Sequence, residues 1–366
     1  MGSGSLVGKR SRTRAEPSAV IQASDLSLAR LIEHRPTAGA DLGELKRRHA
    51  VDCRVYYSLA ALSRRGVLEE AFRAEALSKL FRLRSSLEKA IISDLECCGL
   101  RDDILDNWSS KSFFGVSAKQ GVSVRYALAS CVPTRTCGGR CYGHDGRDRE
   151  LHHLFRGALN YFVGQRYAEL SRKQAAQLFV RLEGAISYGV AAARDDQKNA
   201  LQQGFERVAR IRFSHLGEMA ATPAFTNELA RRIHEIDDGI ACVLYTRHPK
   251  ARELDTSELV VNFTLEGDDD TRAAWVPDGS RVVASAWDGQ LSTIAQVNFL
   301  EHHVEKVREA VGSGPICPVT ADHEANSSCD AARCELCFVR PESTIRDQGR
   351  RWLGLPSPTW LDKNPQ

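Results

Sequence analysis

The later half of the chain alternates short apolar segments of strand type with amphipathic helical segments, and this alternation limits the fold more than any other feature. Apolar and β-branched residues predict five strands, at Val122–Cys131, Val208–Phe213, Ile240–Thr246, Leu259–Leu265 and Arg281–Trp287. Strands separated by helical or connecting segments build α/β folds with a largely parallel sheet. We therefore predict either a partial (β/α) barrel or an open parallel sheet.

Helical segments lie between these strands. Apolar residues from Leu151 to Phe162 recur at i, i+3, i+4, i+7 and i+8, which indicates one buried helical face. A second helix is expected after Ser171, because Gln174 stands three residues later and completes a capping box. Thr222 and Pro223 predict the cap and the first turn of a third helix.

The region before the first strand has helical periodicity and no strand pattern. We predict a disordered arm or tag at 1–20, a helical region at 24–112 and an α/β core at 115–310. A cysteine-rich cluster segment at 311–340 and a tail at 341–366 follow. A plain helical bundle is the simpler interpretation of the helical region, and a helix-turn-helix over Asp41–Leu68 is the alternative.

Charge is distributed unevenly along the chain. Residues 1–90 carry 17 Lys and Arg against 10 Asp and Glu, whereas the net charge of the 366 residues is only +3. A basic end favours a nucleic acid or another acidic macromolecule as a partner, and a solvated helical face with a basic tail is the alternative. No apolar run is long enough to span a membrane and no secretory leader is visible, so we expect a cytoplasmic protein without membrane association.

The chain has eleven cysteines, and seven of them fall in two clusters. In a protein without a leader, such spacing is more typical of metal binding or catalysis than of disulfides. The first cluster is Cys131, Cys137 and Cys141, which follow the first predicted strand at C-x5-C-x3-C. Three thiolates on one glycine-bearing loop suit an iron-sulfur cluster with one iron left open. Zinc is the competing metal, with His144 as the fourth ligand of a Cys3His site.

The second cluster contains four cysteines near the carboxyl terminus, Cys317, Cys329, Cys334 and Cys337. Four cysteines that end in C-x2-C can saturate one zinc ion or one four-iron cluster. Such a closed site is structural or relays electrons. The two sets together predict up to two 4Fe-4S clusters, one open and one closed.

Polar residues follow three of the predicted strands. Gly217 and Glu218 come after the Val208 strand, where a glycine permits close backbone approach and a carboxylate can bind a ligand amine. Thr246 to His248 end the next strand, and Ser285 lies near the end of the last. Ligands of α/β folds bind at the carboxyl ends of parallel strands, so Gly217, Glu218 and Ser285 are our candidates for cofactor binding.

Several motifs together resemble the "gene product 88" family of phages and mobile elements. They are the strand ending CysValPro, the nearby CysTyr, the strand at Arg210–Glu218, the TyrThrArg at 245–247, and the late CysPro and CysGluLeuCysPhe. The similarity covers roughly residues 115–340. It implies a cysteine-rich α/β protein of phage type, without an assigned reaction.

The layout is also distantly similar to radical S-adenosylmethionine enzymes. In them a three-cysteine loop after the first strand holds a four-iron cluster, and a Gly-Gly-Glu segment at the second strand binds the amine of the methionine. Cys131, Cys137 and Cys141, then Gly217 and Glu218, then the late cysteines follow the same order, although the loop spacing differs from the usual C-x3-C-x2-C. This resemblance implies S-adenosylmethionine as a cofactor.

Two hypotheses of function follow. The first is an iron-sulfur enzyme similar to radical S-adenosylmethionine enzymes, acting on a substrate that the sequence does not identify. The second is a zinc-stabilised protein that binds nucleic acid without catalysis. We favour the enzyme, because an incomplete set of three cysteines beside a complete set of four divides into an open and a closed site.

Overall fold

The computed structural model of the chain describes residues 40–62, 70–117, 121–134, 137, 141–144, 150–286, 291–300 and 336–338. The predicted arm at 1–20 and the predicted tail at 341–366 lie outside these residues, as do Cys317, Cys329 and Cys334. No helix of the described part is long and apolar enough to cross a membrane.

Six α-helices are present in the described ranges. They are α1 (Leu42–Leu62), α2 (Glu70–Cys98), α3 (Asp102–Trp108), α4 (Leu151–Tyr167), α5 (Arg172–Gln202) and α6 (Pro223–Ile236). The expected helical periodicity before the first strand is confirmed by α1 to α3. The helix-turn-helix alternative is wrong for Leu42–Leu62, because α1 is continuous there.

The helix starts show which capping signals were informative. Ser171 accepts a hydrogen bond from the backbone N–H of Gln174, whose side chain bonds back to the Ser171 backbone, so the capping box is confirmed. Thr222 precedes α6 but its side chain makes no capping bond. Its hydroxyl instead lies 2.8 Å from the hydroxyl of Tyr126, because the chain before α6 packs against the exit of a neighbouring strand.

One seven-stranded sheet occupies the described part of the chain. Its strands are β1 (Phe114–Ser117), β2 (Gly121–Arg125), β3 (Arg210–Leu216), β4 (Ala241–Thr246), β5 (Val260–Leu265), β6 (Arg281–Ala286) and β7 (Val297–Leu300). The order in the sheet equals the order in the chain, β1 pairs antiparallel with β2, and all other pairs are parallel. The predicted mixed α/β class with a mostly parallel sheet is therefore confirmed.

Two strands were missed and one was drawn too long. The short edge strands β1 and β7 carry too few residues for a clear pattern. The strand predicted to reach Cys131 ends at Arg125, and a 3-10 turn at Leu128–Ser130 precedes the cysteine. The alternation of apolar and small residues in this stretch fits a turn as well as a strand, so the pattern could not locate the end.

The hydrophobic core is continuous from the amino-terminal helices to the sheet. Leu45 and Leu87 of the helical region belong to the same buried cluster as Phe213 and Phe263 of the sheet. Alternate strand residues such as Ile211, Leu244 and Val261 face this core, because successive side chains of a strand point to opposite faces. The helices thus cover one face of the sheet, and the carboxyl ends of the parallel strands lie at one edge.

Candidate metal centre

The carboxyl edge of the sheet brings together loops from four neighbouring strands. The cysteine loop follows β2, Gly217 and Glu218 follow β3, Arg247 follows β4 and Glu266 follows β5. Consecutive strand order places these loops side by side, since each strand pairs with the next. The cysteine loop is joined to β3 directly, because the backbone N–H of Glu218 donates to the Ser130 hydroxyl at 2.7 Å.

The thiols of Cys131 and Cys141 pack against a small apolar cluster. Phe81 of α2, Leu128 and Leu216 form this cluster. Burial raises the pKa of Cys131 well above its ordinary value, and the charge of Glu218 adds to the effect. Burial, with a contribution from the neighbouring Cys137, raises the pKa of Cys141 to about 12. In this setting the thiols stay protonated unless a metal cation replaces the proton on the sulfur.

The spacing of the thiols bears on the kind of metal that they suit. Among the described side chains, Glu150, His152 and His153 form a group of three potential metal ligands, with ligand atoms within 4.8 Å of one another. The three loop cysteines do not form such a group. A tetrahedral zinc ion with bonds of about 2.3 Å brings its sulfur ligands to about 3.8 Å from one another. An iron-sulfur cluster, whose iron atoms each take one thiolate, accepts a wider set.

His144 was the proposed fourth ligand of a zinc site. Its ring is fully buried, and its Nδ1 lies 2.7 Å from the hydroxyl of Tyr56 on α1. Burial lowers the pKa of His144 to about 3, so the imidazole is neutral at physiological pH. Within the described residues its Nε2 has no hydrogen-bond partner, and His144 does not form a group of three within 4.8 Å with the loop thiols.

Glu218 is a buried carboxyl group at the end of β3. Its Oε2 accepts a hydrogen bond of 2.7 Å from the hydroxyl of Thr246. Burial raises the pKa of Glu218 to about 7, although the Thr246 hydroxyl and the nearby charge of Arg247 act in the opposite direction. A carboxyl group of this kind changes its charge near neutral pH, and an incoming cation would hold it ionised.

Gly217 allows β3 to approach the exit of β2 very closely. Its φ is +76°, a conformation that favours glycine. A Cβ at this position would lie 2.4 Å from the carbonyl oxygen of Ala127 and 2.6 Å from the carbonyl carbon of Tyr126. The glycine therefore allows the cysteine loop and Glu218 to lie close together, and the close approach is to the backbone at the exit of β2.

Arg247 lies among the acidic and thiol groups of the site. Its Nη1 is 3.1 Å from Oε1 of Glu266, which also accepts a hydrogen bond from the hydroxyl of Thr134 in the cysteine loop. Burial lowers the pKa of the Arg247 guanidinium, but the nearby Cys137 and Glu218 raise it above its ordinary value overall. A fixed positive charge therefore stands where thiolates would need compensation.

A buried ion pair of α2 holds both ends of the cysteine loop. The side chains of Arg84 and Glu88 are fully buried, with Nε 2.8 Å from Oε1. Nη1 of Arg84 donates to the carbonyl oxygen of Gly143 at 2.6 Å, after Cys141. The backbone N–H of Ala129, before Cys131, donates to Oε2 of Glu88 at 2.9 Å.

Sequence reasoning missed this ion pair. Its only sequence signal is an Arg and a Glu four residues apart on a helix, which on most helices forms a solvent-exposed pair.

The remaining predicted site residues occupy different surroundings. Ser285 is buried near the carboxyl end of β6 and pairs with Phe299 of β7. Cys337 packs against Val283 and Val297, away from the helices, and its carbonyl oxygen accepts a 2.9 Å hydrogen bond from the Asn262 side chain. Since the other three late cysteines lie outside the described residues, the second metal site stays a prediction.

Comparison of the chain with protein-family models, with curated proteins and with solved structures finds no match.

Proposed function

We propose that the chain is an iron-sulfur protein and that it acts as an enzyme similar to radical S-adenosylmethionine enzymes. The observation that carries this proposal is the placement of Cys131, Cys137 and Cys141. Their loop shares one sheet edge with a buried carboxyl group and an arginine. Metal sites with redox or ligand-binding roles are found at such loop edges of α/β folds.

The sheet topology supports the finer fold prediction. A doubly wound sheet reverses its strand order at a switch point. In the described sheet, by contrast, β2 to β7 follow one another in chain order and all run parallel. Right-handed crossovers between consecutive strands place every helix on the same side and curve the sheet. We infer that the sheet is a partial (β/α) barrel.

The residues of the loop fit an iron-sulfur cluster. Cys131, Cys137 and Cys141 would hold it as thiolates, and three ligands leave one iron open. When bound, such a cluster supplies the electron for reductive cleavage of S-adenosylmethionine. The thiols release their protons on loading, because burial keeps them protonated otherwise. Arg247 offsets part of the negative charge that results.

Glu218 would bind the amine of the cofactor. An ammonium group beside the carboxylate replaces the solvation that burial removes, and it would add to the hydrogen bonds that the Thr246 hydroxyl and the Arg247 backbone already make to Glu218. Gly217 would act by setting the backbone distance at this point. Ser285, near the end of β6, is the third proposed contact with the cofactor, and the substrate site would adjoin these residues.

The test is the iron and acid-labile sulfide content, with the visible spectrum, of protein purified without oxygen. We expect brown protein with about four irons for one cluster, or about eight for two. Cys137→Ser should lose about four irons. Cys97→Ser, which replaces a half-buried thiol of α2, should keep them all.

The result that would overturn the proposal is one or two zinc ions and no sulfide. It would favour the zinc-stabilised nucleic-acid-binding protein instead. If the clusters are present, dithionite-dependent cleavage of S-adenosylmethionine is the next assay, and a protein with clusters but no cleavage would restrict the proposal to electron transfer.

A further inference from the structure

Strand β3 is distorted just before it reaches the candidate site. Its pairing with β2 shifts between Arg212 and Leu216, where β3 has two residues more than its partner strand. In this bulge Ser214 has a φ of +65°, and within the described part of the chain it is the one residue other than glycine with a positive φ. Bulges beside functional sites re-aim the side chains that follow them.

The strained conformation of Ser214 accompanies a specific hydrogen bond. Its side-chain oxygen accepts the backbone N–H of Met219 at 2.5 Å, and both residues are buried. A residue other than glycine keeps a left-handed φ only where the surrounding structure compensates for the strain, and such residues concentrate at functional sites. The distortion of β3 therefore serves the turn that carries Glu218.

A second serine holds the same turn through the neighbouring backbone group. Ser130 is buried in the turn directly before Cys131, and its side-chain oxygen accepts the backbone N–H of Glu218 at 2.7 Å. The single hydrogen of this hydroxyl is donated to the carbonyl oxygen of Ala127 at 2.6 Å, which fixes the direction in which the oxygen accepts. Two consecutive N–H groups after Gly217 thus bond to serine oxygens.

The carboxyl group of Glu218 is held by a third hydroxyl. Oγ1 of Thr246 accepts the backbone N–H of His248 at 3.0 Å and donates its own hydrogen to Oε2 of Glu218 at 2.7 Å. Hydroxyl groups from the turn after β2, from β3 and from β4 together define where Glu218 lies. Of the three, Ser130 is the one adjacent in sequence to a proposed metal ligand, Cys131.

We propose that Ser130 and Ser214 are positioning residues that couple the cysteine loop to Glu218, so that metal on the loop orders the backbone that carries this carboxyl group. The inference rests on the proposed function, in which the loop thiols hold a metal. Metal bound to Cys131 restrains the adjacent Ser130, and the hydrogen bond from the Glu218 N–H then opens less often. A ligand amine meets a preorganised carboxyl group only after the metal is in place.

The experiment is backbone hydrogen exchange of the full chain, purified without oxygen and compared before and after a chelator removes its metal. We expect metal to slow exchange in 216–222 by about threefold or more and to leave Arg172–Gln202 on α5 unchanged. Cys137→Ser lacks one loop thiol and should exchange in 216–222 like the stripped wild type. This variant separates the loop from any metal that the late cysteines bind.

Substitution of Ser130 tests the coupling directly. Ser130→Ala removes the acceptor of the Glu218 N–H but no metal ligand. It should bind as much metal as the wild type, and metal should no longer slow exchange in 216–222. Ser130→Thr keeps the hydroxyl and should restore the effect of metal. Ser86→Ala removes an exposed hydroxyl of α2 and should behave like the wild type.

Ser214 is tested by two further substitutions that both remove its hydroxyl. Ser214→Gly also relieves the left-handed strain, whereas Ser214→Ala keeps it. We expect Ser214→Gly to have the higher thermal midpoint of the two. Both variants should exchange rapidly at Met219, with or without metal.

Equal exchange of 216–222 in the loaded and the stripped wild type would overturn the proposal, and so would a full effect of metal in Ser130→Ala. Equal thermal midpoints of Ser214→Gly and Ser214→Ala would show that the strain at Ser214 is absent. Metal analysis keeps these results separate from the proposed function. If the loop holds zinc in place of iron, the enzyme proposal fails, and the same comparison tests the coupling in the zinc-loaded protein. A loop that binds no metal overturns both proposals.

Discussion

Arg84 and Glu88 form an ion pair that has no solvent-exposed side-chain surface, and each partner also bonds to the backbone at one end of the cysteine loop. The pair joins the amino-terminal helices to the proposed metal centre. Burial raises the pKa of Glu88, and the charge of Arg84 counteracts this. A buried ion is tolerated when its partner and its hydrogen bonds are complete, so this pair depends on all of its contacts.

We therefore expect Arg84→Met to lower the free energy of unfolding by about 3–5 kcal/mol, because Glu88 is left buried without its partner. The double variant Arg84→Met/Glu88→Gln should be less destabilised than the single one. Lys79→Met removes the solvent-accessible Glu75–Lys79 pair, in which Lys79 is half-buried and Glu75 exposed, from the same helix and should change the stability much less. Urea unfolding measures all three. Equal losses of unfolding free energy in Arg84→Met and Lys79→Met would show that the buried Arg84–Glu88 pair matters no more for stability than a surface pair.

Replacement of Gly217 should be far more harmful than its backbone conformation alone explains. Gly217 and Gly204 have nearly the same φ, +76° and +75°, but an added Cβ meets the Ala127 carbonyl only at Gly217. Gly204→Ala should cost about 1 kcal/mol, which is the strain of the left-handed conformation. Gly217→Ala should cost about 3 kcal/mol or more, because backbone must also shift. Similar thermal midpoints for the two variants would contradict the close approach.

The stability of the protein should depend on pH through Glu218. Its pKa in the folded state is about 7, above the ordinary 4.5, so the native state favours the protonated form. This contribution is complete below about pH 4.5 and is lost as the pH rises to about 7. Glu218→Gln stays neutral throughout. Between pH 5 and pH 8 its unfolding free energy should therefore gain about 1–3 kcal/mol relative to the wild type.

A second variant checks the cause of this shift. Thr246→Val removes the hydroxyl that stabilises the ionised carboxylate, so the folded-state pKa should rise further and the loss of stability should extend to higher pH. Chemical unfolding of metal-free protein across the pH range would show it. Parallel curves for the wild type and Glu218→Gln would mean that this group titrates with its ordinary pKa.

Arg247 should stabilise bound metal. Arg247→Gln removes a positive charge beside Cys137 and Glu218, which makes thiolates less favourable in the site. Iron should be lost to a chelator several-fold faster than from the wild type. Arg252→Gln, an exposed arginine six residues beyond the same strand, is the matched control and should lose iron at the wild-type rate.

The sequence predicted those parts of the fold that have a local signal. Helices α4 and α5 were located by apolar periodicity and by the capping box at Ser171, which depends on residues three positions apart. The end of β2 was misplaced because the decisive hydrogen bond joins Tyr126 to Leu216, ninety positions along the chain. Thr222 and Pro223 were correctly placed at the N-cap and first turn of α6, but the hydrogen bond of the Thr222 hydroxyl to Tyr126 could not be foreseen for the same reason.

The candidate site divides in the same way. Its cysteines and Glu218 could be nominated from spacing and from their positions after strands. Arg247 was indicated only by its position after a strand, and Arg84, Glu88 and Glu266 could not be assigned to the site, because charged residues on helices and loops are common and only tertiary packing brings these side chains to the loop. The residues next to Arg84 in the sequence do not indicate that its side chain bonds to Gly143, 59 positions later.

Consecutive strand order lets each parallel strand of this sheet pair with an edge that the preceding part of the chain has already built, so the sheet can grow as the polypeptide is synthesised. The cysteine loop cannot complete its contacts as soon as β2 is made. Its contacts include Glu266, which bonds to Thr134 across 132 positions of sequence, as well as the earlier Arg84. If the strands assemble in this order, the loop reaches its final geometry only after β5 has joined the sheet, and a metal donor can reach the thiols before that step.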